Sequence, residues 1–164
     1  LAFSGKPTCS TFNPRSQIVI MLNTYRGSCH CGAIQFEAQA PETVTVQDCN
    51  CSICSKTGFL HLILPKTQFK LLQGEGVITT YRFNTGVAQH TFCRICGCKP
   101  FYIPRSNPDG IDVNLRCLDT APPEVTIEVF DGQNWEANSA SLAHLSQEPE
   151  ASLSVTSEQP EPQE

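Results

Sequence analysis

An all-β, strand-rich fold is what this chain of 164 residues predicts. Three features carry that prediction: apolar residues recur with a period of two, turn-forming residues separate the runs, and almost no stretch shows a helical period. In chain order, Ile34, Phe36 and Ala38 alternate with Gln35 and Glu37, and Val44 and Val46 flank Thr45. Residues 59–64, 68–72, 77–83 and 87–92 follow as further strands. Ile111, Val113 and Leu115 then alternate with Asp112 and Asn114, and Val125, Ile127 and Val129 with Thr126 and Glu128. Turns are signalled by Gly74-Glu75-Gly76, Asn84-Thr85-Gly86, Pro108-Asp109-Gly110 and Asp131-Gly132. One short helix near 137–145 completes the pattern.

The apolar fraction of 40%, with one Trp and nine Phe, fills a modest core of a single domain. The patterned segment spans 24–138. Residues 1–23, which precede it and contain the first methionine at Met21, read as a disordered extension. Residues 139–164 read as an acidic disordered tail, since 146–164 hold five glutamates and no base. The remainder balances eleven bases against eleven acids within a net charge of −5. No basic footprint marks a nucleic-acid binder, and no run reaches the ~20 apolar residues of a membrane span. Residues 1–20 lack the basic start and apolar stretch of a secretory signal, so a cytoplasmic location is expected.

Ten cysteines are many for such a chain, and eight fall into three groups. These are Cys29-His-Cys31-Gly, Cys49-Asn-Cys51-Ser-Ile-Cys54 and Cys93-Arg-Ile-Cys96-Gly-Cys98. In C-x2-C one tight turn brings two sulfurs to a single point, and in C-x-C residues i and i+2 share a face. Gly97 after Cys96 can take the left-handed conformation that closes such a knuckle. Neighbouring C-x-C cysteines pair badly as disulfides, and a reducing compartment opposes oxidation. Metal ligation is therefore expected, with zinc preferred over an iron–sulfur cluster because the spacings resemble zinc ribbons more than ferredoxin runs. Spacing leaves two partitions open. Eight cysteines can form two closed four-thiolate sites, or Cys29, Cys31, Cys93 and Cys96 close one while Cys49, Cys51 and Cys54 make another with a free position. A closed site is structural, whereas an open position admits substrate.

Gly27-Ser-Cys-His-Cys-Gly-Ala33, Asp48-Cys-Asn-Cys-Ser-Ile-Cys54, Phe92-Cys-Arg-Ile-Cys-Gly97 and the stretch Pro104 to Asp119 together resemble the glutathione-dependent formaldehyde-activating enzyme family, which includes centromere protein V. The resemblance runs from about Tyr25 to Trp135. It implies an Mss4-like zinc-binding fold with short antiparallel sheets and two zinc ions per chain. Cys29, Cys31, Cys93 and Cys96 would hold the structural ion, and Cys49, Cys51 and Cys54 the catalytic one. Cys98 matches no ligand of the family pattern, Cys117 reads as a buried thiol, and Cys9 lies outside the match.

A zinc with three thiolates is a poor activator of water but a good holder of an incoming thiol, which it deprotonates. The family resemblance supplies glutathione and formaldehyde as substrates and a carbon–sulfur lyase as the enzyme class. A glutathione carrier, or a non-catalytic scaffold like centromere protein V, is the competing expectation. Arg94, Arg105, Arg116 and Lys56 lie near the motifs as candidate carboxylate anchors, although most such side chains are merely solvated. His30, His61, His90 and His144 read as shaping, satisfied or exposed groups rather than ligands, and Phe101 and Tyr102 as core.

Overall fold

Alternation over residues 34–40 yields strand β2 (Gln35–Ala40), whose Phe36, Ala38 and Ala40 are buried while Gln35 and Gln39 face out. It pairs antiparallel with β1 (Asn23–Ser28), and the connecting turn carries Cys29 and Cys31. A computed structural model describes residues 21–148, so the expectations for Cys9 and for the two chain ends lie largely outside the described residues. The remaining strands are β3 (Thr43–Cys49), β4 (Leu60–Pro65), β5 (Phe69–Gln73), β6 (Ile78–Tyr81), β7 (His90–Cys93), β8 (Phe101–Tyr102), β9 (Gly110–Asn114) and β10 (Glu124–Phe130). Two one-turn helices, α1 (Cys54–Thr57) and α2 (Trp135–Asn138), complete the set with several 3-10 turns.

The strands form a three-stranded sheet in the order β1-β2-β5, a five-stranded sheet β10-β3-β4-β9-β8, and the pair β6-β7. The β-rich class expected from the sequence is the one observed. All pairs but one are antiparallel: β10 runs parallel to β3, with Phe130 beside Cys49. That pairing brings the Asp131-Gly132 turn against the cysteine loop after β3. The two helical turns, β1 and β8 are too short or too polar to announce themselves by periodicity. The expected helix near 137–145 is α2 followed by a 3-10 segment, Ser139–Ser146. Leu142 and Ser146 of that segment are buried, and Asn107 Nδ2 donates to Leu142 O and Ser146 Oγ. Ordered packing therefore continues past Asn138, where the sequence pattern fades.

Strand β4 is buried along its whole length because both faces of the large sheet are covered. Leu62 and Leu64 join Phe36, Val46, Phe101, Ile111 and Val113 in the main core. Ile63, from the other face, joins Cys49, Cys54, Phe130 and Leu142 in a second cluster. Phe36 is fully buried, stacks on Phe69 and meets Phe101 edge-on, and its removal should cost about 3–5 kcal/mol. A Cβ on Gly27 would collide with the Phe36 ring, which explains a glycine there.

Strands β9 and β10 also depart from the in–out alternation that their sequences predict. In β9 the polar Asp112 and Asn114 are buried along with Ile111 and Val113, since this strand too is covered on both faces. In β10, an edge strand, Ile127 and Val129 stay exposed.

Candidate metal centres

The first centre is built from two turns far apart in sequence. Cys29 and Cys31 leave β1, and Cys93 and Cys96 leave β7; all four sulfurs lie within 4.8 Å of one another. Two of the sulfur separations, Cys29–Cys31 and Cys31–Cys93, are 3.6 and 3.8 Å. A tetrahedral ion about 2.3 Å from each sulfur requires sulfurs about 3.8 Å apart, so the set fits zinc. Each turn closes on a left-handed glycine, Gly32 at φ 73° and Gly97 at φ 72°. Ile34 N–H donates to the Cys29 sulfur at 3.3 Å and fixes its position in the turn. The Ala33 N–H alone favours the Cys31 thiolate, yet burial and the sulfurs of Cys29, Cys96 and Cys93 push it up to about 12. Cys96 falls to about 6, mainly through the Cys98 N–H. Such a split is what crowded sulfurs produce until a cation lets them ionise together.

Cys98 stands apart from this group. Its sulfur lies 3.6 Å from that of Cys117, and burial pushes the Cys117 thiol well above its ordinary range. All nine cysteines among the described residues are free thiols.

The second centre is a single loop. Cys49 ends β3, Cys51 sits in the turn, and Cys54 opens α1, which stops at the left-handed Gly58. The loop is clasped by the turn after β10. Asn50 Nδ2 donates to Asp131 at 3.1 Å, Gln133 N–H donates to Asn50 Oδ1 at 3.0 Å, and Asn50 N–H donates to Phe130 O at 3.2 Å. A side chain on Gly132 would strike the Cys49 sulfur, so only glycine lets the turn pass this close. Hydrogen bonds from Cys49 and then Cys54 hold the Cys51 thiol down at about 2. Its bond to Cys51 raises Cys49 to about 11, and Cys49, Cys51 and burial push Cys54 far upward. Three sulfurs thus sort into one thiolate and two thiols, and a soft dication is the group that permits all three to ionise.

This loop opens into a cleft of about 770 Å³, lined by Cys49, Cys51, Cys54, Tyr102, Arg105 and Trp135 among others. None of the four cysteines of the first centre lines it. Its floor is a row of polar side chains set by strand register. Gln47 of β3 lies opposite His61 of β4, Asp112 of β9 lies opposite Tyr102 of β8, and His61 and Asp112 are diagonal neighbours. His61 Nδ1 is 2.7 Å from Asp112 Oδ2, with His61 5% and Asp112 0% exposed. Gln47 Oε1, His61 Nε2 and Asp112 Oδ1 are buried without a hydrogen-bond partner. A ring nitrogen of His61 also lies within 4.8 Å of the Cys49 and Cys54 sulfurs. The sequence reading set His61 aside and took Asp112 for solvent-facing. A lone histidine within the apolar run Phe59 to Leu64, and an aspartate between Ile111 and Val113, were the signals available.

Lys99 is the other residue that sequence missed. Its Nζ sits 4.4 Å from the Tyr102 ring centroid and 5.1 Å from that of Phe59, and 2.9 Å from His90 Nδ1. Burial lowers its basicity, while Cys54, Asp112 and Cys51 favour its charge. Burial and Lys99 hold His90 down at about 4, so it is neutral at pH 7. Of the arginines and lysine named from sequence, only Arg105 reaches the cleft; Arg94, Arg116 and Lys56 are exposed away from it. Arg105 lies over Trp135 at 5.7 Å and pairs with Glu136 at 2.7 Å. His30 and His144 are exposed, whereas Phe101 and Tyr102 are buried as expected.

Residues 24–133 match the family model described as glutathione-dependent formaldehyde-activating enzyme. The chain belongs to this family. Among solved structures, it is similar to the crystal structure of a Rhodobacter sphaeroides protein at 31% identity and a TM-score of 0.56. The similarity covers 63% of this chain and 99% of that one. The family match begins one residue after the start of β1 and ends in the turn that clasps the second cysteine loop, so it includes both cysteine centres. It stops short of Trp135, which lies on the cleft wall. Among the described residues no helix is long and apolar enough to cross a membrane.

Proposed function

We propose that this chain is a carbon–sulfur lyase-type enzyme that captures glutathione at Cys49, Cys51 and Cys54 and forms or cleaves S-hydroxymethylglutathione-like adducts. In this reading Cys29, Cys31, Cys93 and Cys96 hold one zinc and Cys49, Cys51 and Cys54 a second. The observation that carries it is the contrast in access: the three-cysteine loop lines the cleft and the four-cysteine set does not. The name of the family supports the choice of glutathione and formaldehyde.

Zinc held by the loop supplies a cation that keeps a thiol ionised at neutral pH. The chain's own residues do the rest. Lys99 offsets the negative charge that an added thiolate brings to a site already holding three. Arg105, at the rim and stacked on Trp135, offers a planar guanidinium to a peptide carboxylate. Ile63, Tyr102 and Phe130 line the inner cleft and exclude water from it, and burial and Asp112 keep the Tyr102 phenol protonated. A cleft of about 770 Å³ is within the range that encloses a drug-sized ligand. In the forward direction a bond forms between thiol sulfur and aldehyde carbon, the carbonyl π pair moves to oxygen, and the thiol's proton ends on that oxygen. Nothing is oxidised or reduced.

The test is metal content and glutathione titration of wild type and Cys54→Ser, with adduct formation followed by 13C NMR of labelled formaldehyde. Wild type should hold two zinc ions, bind glutathione and accelerate adduct exchange, while the folded variant holds one ion and does neither. Binding without acceleration would make the chain a carrier. No binding by zinc-loaded wild type would leave a structural module.

A further inference from the structure

The three-cysteine loop leaves one corner of a tetrahedron to be filled, and the polar floor of the cleft holds a donor beside it. His61 is 5% exposed, and its Nδ1 is committed to the Asp112 carboxylate at 2.7 Å. A neutral histidine that donates Nδ1–H to a carboxylate presents Nε2 as a free lone pair, the arrangement by which proteins orient metal-binding imidazoles. That Nε2 is buried and unpartnered, which in water-poor surroundings costs free energy unless something accepts its lone pair. Its surroundings offer few partners. Leu60, Leu62 and Ile63 beside it in the strand are apolar, Phe59 and Tyr102 pack their rings against it, and Gln47 across the strand pair has an unpartnered Oε1, which offers a neutral Nε2 no proton. On the cleft side stand the sulfurs of Cys49 and Cys54, within 4.8 Å of an imidazole nitrogen. Cys49, Cys54 and His61 thus form one three-donor set, and Cys51 stands next to it in the same loop, outside that set.

We propose that His61 Nε2 is the fourth ligand of the second centre at rest, held in place by Asp112, and that an entering thiolate displaces it. Ligation and displacement are separable. The first stands on the position of His61, and only the second rests on the thiol-capture reading above. A neutral imidazole is the natural leaving ligand among three thiolates, because zinc loses less by giving it up. After displacement the imidazole stays tethered to Asp112 and can return when the thiol departs.

Zinc K-edge absorption on the zinc-loaded full chain decides the matter. The four-cysteine centre contributes sulfur alone, so any outer-shell imidazole scattering comes from the second centre. The expected result is an imidazole signature in resting wild type that is absent from His61→Ala and is lost from wild type saturated with glutathione. In chelator competition, His61→Ala should weaken the hold on one of two ions by about tenfold or more, and Asp112→Asn by about tenfold or less. Glutathione should bind His61→Ala at least as tightly as wild type, since its competitor is gone. Resting wild type without imidazole scattering overturns the ligation. Imidazole scattering that persists in a chain shown by titration to be saturated with glutathione overturns the displacement and keeps the ligation. If glutathione does not bind at all, the thiol-capture reading fails while a resting imidazole signature still establishes His61 as a ligand.

Discussion

The two cysteine centres of this chain use the same local device, a thiol-bearing turn closed by a left-handed glycine, but they do different things to the fold. The first joins segments far apart in sequence: Cys31 and Cys93 are 62 residues apart and their sulfurs 3.8 Å. Cys29 and Cys93 are embedded in the main core, so a metal there ties the β1–β2 hairpin to β7. The second takes all its sulfurs from residues 49–54, a loop already fixed by β3, α1 and the clasp from Asp131 to Gln133. A metal there organises side chains that the backbone holds in place anyway. Cross-linking distant segments is a structural task, and decorating one preformed loop at a cleft is a chemical one.

That difference sets the largest expected effect. Cys96→Ser should leave the chain unfolded at 25 °C, since structural zinc contributes on the order of 10 kcal/mol and whole domains hold only about 5–15. Cys51→Ser should remain folded with one zinc in place of two. Far-UV circular dichroism with metal analysis on the purified variants separates the two outcomes. Folded Cys96→Ser with its second zinc intact would erase the distinction between the centres.

A smaller effect tests the cleft side. Lys99→Met keeps most of the stem that packs on Phe59 and Tyr102 but removes the charge beside Cys54 and Asp112. Zinc content should be unchanged and glutathione affinity should fall by about tenfold, read by calorimetry. Equal affinity would mean that the fourth thiolate needs no compensating cation.

Much of the fold and the grouping of the first four cysteines are legible in the sequence, for identifiable reasons. Period-two runs locate β2, β3, β9 and β10 because alternation is a local property, and the apolar run 59–64 locates β4. The four cysteines of the first centre follow from spacing and resemblance, and the structure brings their sulfurs together. What alternation does not reveal is which face is covered. Asp112 and Asn114 read as solvent-facing because one covered face was assumed, whereas β9 is covered on both. His61 and Asp112 come from strands far apart in sequence and meet only through the register of β4 and β9. Lys99 is hidden differently, as a single base among cysteines whose destination depends on the turn after Cys98. Conversely, Ile127 and Val129 promised a buried face that an edge strand does not provide.

A finer effect is pH dependence on the cleft side. His90 accepts a proton in the folded chain only near pH 4, through burial and Lys99, against an ordinary value of 6.5. Between these values the unfolded chain binds more protons, so stability rises with pH across the window and is lost as pH falls through it. Below about pH 4 both states are protonated and no further loss comes from this group. His90→Gln, which retains an acceptor for Lys99, should flatten the fall in Tm between pH 6.5 and 4 relative to wild type. Any metal lost on acidification is lost by both proteins alike, so the difference between their slopes isolates His90. Identical slopes would assign the whole acid sensitivity to the metal centres.

The smallest expected effect is none, and it guards the comparison at its weakest point. Cys98 lies two residues beyond Cys96 of the first centre, close enough to take its place by spacing alone. Its sulfur instead faces that of Cys117 at 3.6 Å, and Cys93 N–H bonds to its carbonyl at 2.8 Å, fixing the chain as it leaves the knuckle. That backbone bond does not depend on the side chain. Cys98→Ser should therefore keep both zinc ions and lower Tm only by the few degrees of a half-buried thiol exchanged for a hydroxyl, about 1 kcal/mol. Loss of a zinc ion in this variant, measured by metal analysis after gel filtration, would place Cys98 in the first centre. Cys96 would then be the sulfur to reassign, and the prediction of an unfolded Cys96→Ser would fall with it.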